Sequence, residues 1–199
     1  MKKLILAAFM AVSVSAYSQW NIPVASPRQS VEQQFSMSKI SVDYGRPAVK
    51  GRTIFGDLVP FGKVWRAGAN SATKITFGQA VNFGGKEVMA GTYGLFILPQ
   101  EKEWKIILNK DSDQWGAFTY DEKLNVVDIT VPVQKMTEKQ EYFEVSLNPM
   151  DENKIDLVFK WDMTKVVLPI STGKPEMVAK IVGKLKEIKQ IEKDSAPKK

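Results

Sequence analysis

The chain has no cysteine and no histidine in its 199 residues. The first absence excludes disulfides, thiolate metal sites, iron–sulfur clusters, thiol catalysis and lipid attachment to an N-terminal cysteine. The second excludes a Ser-His-Asp triad and removes the commonest ligand of zinc and haem. No phosphate-binding glycine loop and no Gly-x-Ser-x-Gly nucleophile elbow is present. No cofactor and no metal is implied by what remains. Beyond the N-terminal leader there is no uninterrupted apolar run of roughly 18 residues, the length that spans a bilayer as a helix, so the mature chain is expected to carry no transmembrane segment.

Positive charge is in excess, but unevenly placed. The formal net charge is +6, from 28 Lys and Arg against 22 Asp and Glu. Eight lysines and four acids fall in 174–199, and Lys2 and Lys3 fall in the leader, so residues 19–173 are formally neutral. A neutral body lacks the basic face that nucleic-acid binding requires, and no nucleic-acid partner is expected. The leader, MKKLILAAFMAVSVSAYS, has two lysines, an apolar run and then small residues, the layout of a secretory signal peptide. Ala16-Tyr17-Ser18 predicts cleavage after Ser18, with Ala16 as the alternative point, and an exported protein, periplasmic or extracellular.

Residues 19–30 carry Pro23 and Pro27 without periodicity and read as an extended lead-in. From 31 to 171 the chain is rich in two-residue alternation. Ile40, Val42 and Tyr44 alternate with polar residues, as do Trp104, Ile106 and Leu108, then Val127, Ile129, Val131 and Val133. Phe143, Val145 and Leu147 follow, then Ile155, Leu157, Phe159 and Trp161, and finally Val166–Leu168. Shorter runs lie at 75–77, 81–83, 86–89 and 93–98. Gly84-Gly85 predicts a two-residue hairpin turn, and Pro132 pushes its strand towards an edge or bulge. About ten short strands with no interleaved helix predict an all-β fold, an antiparallel β-sandwich or distorted barrel.

Two stretches break the pattern. Residues 45–72 hold five glycines and two prolines among Phe55, Phe61 and Trp65, and read as a long ordered connection of the kind that often carries function. Residues 172–199 read as a basic amphipathic helix with a frayed tail. Pro175 opens it, and Val178, Ile181, Leu185 and Ile188 follow helical spacing among lysines. That stripe either packs on its own domain or meets a protein partner through 175–192. A membrane surface is a third reading, weakened by the absence of aromatics on the apolar face.

All four arginines, Arg28, Arg46, Arg52 and Arg66, lie within a span of 39 residues, while the other basic residues are lysines. An arginine fork pairs bidentately and stacks on aromatics, which a lysine does not. Two readings follow. The forks either hold a carboxylate, phosphate or sugar, or they satisfy the carbonyls of a connection that lacks regular hydrogen bonds. Arg46, Arg52, Trp65, Arg66 and Asn70 are the candidate ligand-binding residues here. Asn109, Trp115 and Tyr120 join them if later loops reach the same end of the sheet. Asn109-Lys-Asp111-Ser-Asp113 resembles the start of a calcium loop, but Gln114 and Tyr120 replace its glycine and glutamate, so it reads as a polar turn, with a calcium site as the lesser alternative.

Several blocks resemble domain-of-unknown-function family 2911. They are Ser26-Pro27-Arg28, Tyr44-Gly45-Arg46-Pro47, Lys50-Gly51-Arg52-x-Ile54-Phe55-Gly56 and Val64-Trp65-Arg66-x-Gly68-Ala69-Asn70-x-Ala72-Thr73. Gly91-Thr92-Tyr93-x-Leu95-Phe96, Trp104 to Asn109 and Trp115-Gly116-x-Phe118-x-Tyr120 extend the likeness over about Ser26 to Ile170. The resemblance implies export by Gram-negative bacteria and a β-rich domain, and it implies no reaction, ligand or catalytic residue. The function expected is a non-catalytic binding or structural module of the cell envelope, its ligand a glycan or other envelope component. The rival expectations are a carboxylate-dependent hydrolase of envelope polysaccharide, with Arg46 or Arg66 stabilising developing charge, and an interaction scaffold working through the C-terminal helix.

Overall fold

A computed structural model describes residues 23–195. The leader at 1–18 with its cleavage point, residues 19–22 of the lead-in and the last four residues of the tail lie outside the described residues. Nine strands form one antiparallel sheet: β1 (Arg28–Phe35), β2 (Ser38–Gly45), β3 (Thr73–Phe77), β4 (Val81–Phe83), β5 (Lys86–Val88), β6 (Gly91–Pro99), β7 (Glu103–Asn109), β8 (Asn125–Asp151) and β9 (Lys154–Thr172). Their order across the sheet is β1-β2-β3-β6-β7-β8-β9-β4-β5. A single helix, α1 (Pro175–Ser195), follows.

Alternation located the strands, but their joining is a tertiary matter. The runs at 127–133 and 143–147 belong to one 27-residue strand, β8. Those at 155–161 and 166–168 belong to the 19-residue β9. Pro132, which has no N–H to give, sits where β8 changes partner. Its last pairing with β7 is Glu103 with Pro132, and its first with β9 is Val133 with Val166. The register then slips between Lys135 and Glu144, opposite Asp162 at φ 53°. The long hairpin bends there, and Thr172 N donates to Asn153 O at 3.0 Å, so β9 ends beside its own beginning. The sheet is thus folded over itself, and its inner faces enclose one core. Strand β1 begins at Arg28, inside the stretch read as extended, and shows the alternating exposure that its polar sequence hides.

The turn at Gly84-Gly85 is as expected, with both residues at positive φ and Asn82 Oδ1 accepting Gly85 N at 2.7 Å. The core is aromatic at its centre. Trp65 stacks on Trp161 at 5.7 Å and 17° and meets Phe143 edge-on at 5.0 Å. Trp104 and Phe55 close the group. A second, smaller core lies on the opposite face of β6 and β7, where Phe96, Ile107 and Ala72 are buried under Tyr120, Ala117, Val64 and Leu98.

Tyr44 ties the two layers together. Its hydroxyl accepts Val145 N at 3.0 Å and lies 3.1 Å from Gln29 Oε1. Burial pushes the phenol above its ordinary pKa, so it remains a hydroxyl. Tyr44→Phe strands the buried Val145 N–H. Urea denaturation is expected to show a loss of about 1–3 kcal/mol with an unchanged m-value.

Helix α1 buries none of its residues. Val178 and Val182 are half-buried and border a cleft of about 540 Å³ with Phe35, Pro149 and Ile155 at one end of the folded sheet. Met177, Ile181, Leu185, Ile188 and Ile191 are exposed. Among the described residues no helix is long and apolar enough to cross a membrane.

Candidate functional site

Three of the four arginines are engaged within the chain. Arg28 pairs with the Asp43 carboxylate through Nε and reaches the carbonyls of Ser71, Asp43 and Ala72 at 3.3–3.4 Å. Arg46 Nε donates to Phe143 O at 3.2 Å, and its guanidinium carbon lies 5.6 Å from the centre of the Tyr142 ring. Arg52 closes its own loop, donating to Val49 O at 3.1 Å and Ala48 O at 2.6 Å. The 45–72 connection has only isolated bridges, at Ala48, Phe55, Trp65 and Ser71, so its carbonyls need side-chain donors. Forks with several N–H groups in a plane meet that need.

Arg66 differs. It is half-buried, and its Nε is shut off from solvent with no acceptor among the described residues. Burial holds its guanidinium below the ordinary arginine pKa. Its neighbour Trp65 forms a two-way backbone bridge with Ile97, 2.7 and 2.8 Å, and turns its ring into the main core. Alternation about that bridge sends Val64, and Arg66 with it, to the other face of the sheet. Trp65 Nε1 donates to Gly68 O at 3.0 Å, so the ring is a fixed part of the corner rather than an open stacking face.

The corner 66–73 is built to close tolerance. Thr73 N donates to Arg66 O at 3.2 Å and its Oγ1 to Ala67 O at 2.6 Å. Asn70, at φ 63°, is exposed, and its Nδ2 donates to Ser26 O at 3.3 Å. Against this corner lies the 110–124 loop. Ala72 N donates to Gln114 O at 2.9 Å, Gly116 N donates to Asn70 O at 3.0 Å, and Ser71 and Trp115 form a bridge. Two regions far apart in sequence are thereby brought to one surface, and Asn70 and Trp115 become neighbours.

Asn109 and Tyr120 are placed differently from Trp115. Asn109 is fully buried, donating to Asp121 O at 2.9 Å and Asn125 Oδ1 at 2.8 Å while its own Oδ1 accepts Asp111 N at 2.9 Å. Tyr120 packs on Phe96 at 5.1 Å and bonds Asn125 at 2.9 Å. Both hold the loop in shape. Asp111 and Asp113 form the polar turn, with Asp111 Oδ1 accepting Asp113 N at 3.1 Å and Lys74 paired with the Asp113 carboxylate. That lysine holds the exposed Asp113 carboxyl below its usual range.

What this arrangement presents to solvent is aromatic. Trp115 is 64% exposed and Phe118 83% exposed. An added Cβ at Gly116 would fall 2.7 Å from the Phe118 ring, so the ring folds against the backbone of its own loop. Phe118 is not among the residues singled out from sequence. Its only signal is its place in the Trp-Gly-x-Phe block, where a second aromatic follows a glycine. Trp115, Phe118, Asn70 and Arg66 share one corner, whereas Arg46, Arg52, Trp65, Asn109 and Tyr120 build the frame around it.

No curated protein and no solved structure matches the chain. The match to the family described as proteins of unknown function, DUF2911, runs over residues 26–170, and the chain belongs to that family.

Proposed function

We propose that the protein is an exported, non-catalytic binding module of the cell envelope whose ligand is a glycan, held at the corner formed by 66–72 and 114–118. The observation that carries this reading is the pair of exposed aromatics, Trp115 and Phe118, on a loop bonded backbone to backbone to the Asn70 corner. Exposed aromatic rings on an ordered loop lose little entropy on binding and offer flat apolar faces to the CH faces of sugar rings. Asn70 is exposed, and its Oδ1, without a partner among the described residues, is open to a hydroxyl. The signal-like leader and the neutral body accord with work in the envelope.

The test is a thermal-shift titration against soluble peptidoglycan fragments and neutral oligosaccharides. A ligand at 100 times its dissociation constant adds about 2.7 kcal/mol, raising the melting temperature by roughly 5–10 °C in a domain of this size. Trp115→Ala and Phe118→Ala are expected to weaken binding by about tenfold or more each. Both positions are exposed, so the ligand-free melting temperature is expected to stay close to that of the parent, within about 0.5 kcal/mol of stability. A blank panel, or full binding by both variants, overturns the proposal. New reducing ends released from a bound glycan would replace it with the hydrolase.

A further inference from the structure

Arg66 is the one arginine whose guanidinium has neither a hydrogen bond nor an ion pair among the described residues. Its Nε is shut off from solvent while the residue as a whole is only half-buried, so the open end of the fork is its two terminal nitrogens. The antiparallel bridge of Trp65 to Ile97 sets Arg66 opposite Phe96, on the face where Phe96 lies under Ala117 and Tyr120. Arg66 therefore emerges beside the loop that carries Trp115 and Phe118. The acids of the neighbouring segments are committed elsewhere. Asp43 pairs with Arg28 and accepts Ser30 Oγ at 2.8 Å, and Asp113 pairs with Lys74. Asp111 accepts Asp113 N and Gln114 Nε2, both at 3.1 Å, and Asp121 accepts Lys123 N at 2.9 Å. A cation drawn partly out of water without a counter-charge is held at a cost, and a bound anion offsets it.

We infer that Arg66 is the anion-recognising residue of this corner, and that the glycan taken there carries a carboxylate. The inference rests on the glycan reading above and narrows it to acidic sugars. Two terminal N–H groups on one planar fork match the two oxygens of one carboxylate. Trp115 and Phe118 then meet the CH faces of the sugar, Asn70 a hydroxyl and Arg66 the acid group, so each group of the corner has its own part of the ligand. A neutral sugar would leave the cation uncompensated. Sugar carboxylates are of two kinds, a uronic acid and a lactyl ether on a ring hydroxyl, and the fork meets the same two oxygens in both.

The test is calorimetry on the full chain with two acidic probes, a galacturonate trisaccharide and a disaccharide containing N-acetylmuramic acid, each beside its methyl ester. The ester keeps the sugar and removes the charge. At least one acid is expected to bind about tenfold or more tightly than its ester, the scale of a hydrogen-bonded charge pair. That advantage shrinks as salt rises. Arg66→Gln is expected to abolish it and to leave the weaker binding of the ester unchanged. Arg66→Lys keeps only part of it, because an ammonium is a point charge without the fork. The guanidinium bonds nothing within the described chain, so the ligand-free Arg66→Gln protein should melt no lower than the parent. Should it melt well below, Arg66→Lys carries the test, and an undiminished acid preference in that variant overturns the inference. Equal binding of each acid and its ester, or an acid preference that survives Arg66→Gln, also overturns it and leaves the glycan reading standing. Failure of every acid and every neutral sugar to bind overturns both.

Discussion

Replacing Trp65 by alanine is expected to lower the stability of the domain by about 3–5 kcal/mol, the range for deleting a large aromatic from a packed core. At about 2–4 °C per kcal/mol for a domain of this size, the melting temperature falls by roughly 6–20 °C. Three effects combine. The ring is stacked on Trp161 and edge-on to Phe143, Trp104 and Phe55, so its removal opens a cavity walled by rigid rings that cannot collapse into it. The Gly68 carbonyl loses its indole donor. The two backbone bonds to Ile97 lose the anchor that keeps the 45–72 connection against β6. Differential scanning calorimetry measures the loss. A change of less than about 1 kcal/mol, the scale of an ordinary surface substitution, would show that the ring does not organise this core. Trp115→Ala makes the contrast, since the same residue type on the surface is expected to cost little stability and most of the binding.

Gly45→Ala is expected to be nearly as damaging, by about 2–3 kcal/mol, the upper part of the usual overpacking range. A Cβ at this position would fall 2.2 Å from Ala69 O, and that atom is backbone, so no rotamer change relieves the clash. The corner 66–73 would have to lift from the end of β2. Gly45 also pairs with Arg28, whose fork holds the Ser71 and Ala72 carbonyls of the same corner. The variant should therefore lose both stability and the surface geometry of Asn70 and Trp115. Proteolysis between 60 and 75 gives a second readout: the variant is expected to be cut there faster than the parent, and equal protection would contradict the close-packed corner.

How much of this was legible in the sequence differs from element to element. The alternation at 40–44 located a strand because one face is buried and the other half-open, and the alternation at 104–108 and 155–161 located strands although Ile107 and Val158 are buried on their second faces as well. β1 escaped because its sequence, Arg-Gln-Ser-Val-Glu-Gln-Gln-Phe, is mostly polar, with only Val31 and Phe35 apolar on its inner face, and pairing with β2 makes it a strand. The length of β8 and β9 escaped too, because a bend and a register slip leave no mark on side-chain period. Among the arginines, confinement to 28–66 showed that forks were needed, but it did not separate the three that bond carbonyls from Arg66, which does not. Trp65 and Trp115 look alike as letters. One turns into the core from a segment bridged to Ile97 and the other out to solvent from a loop bridged to Ser71, and neither pairing is written in the local sequence.

By itself the sequence determined the β-rich class, the hairpin at Gly84-Gly85 and the lysine-rich C-terminal helix, because periodicity, turn chemistry and charge are local properties of the chain. Only the tertiary structure decided that the sheet folds over itself, that Arg28, Arg46 and Arg52 serve the fold, and that Asn70 and Trp115 stand side by side. Those are contacts between residues tens of positions apart, such as the bond from Gly116 N to Asn70 O, and loop closure brings them together only when the intervening strands have paired.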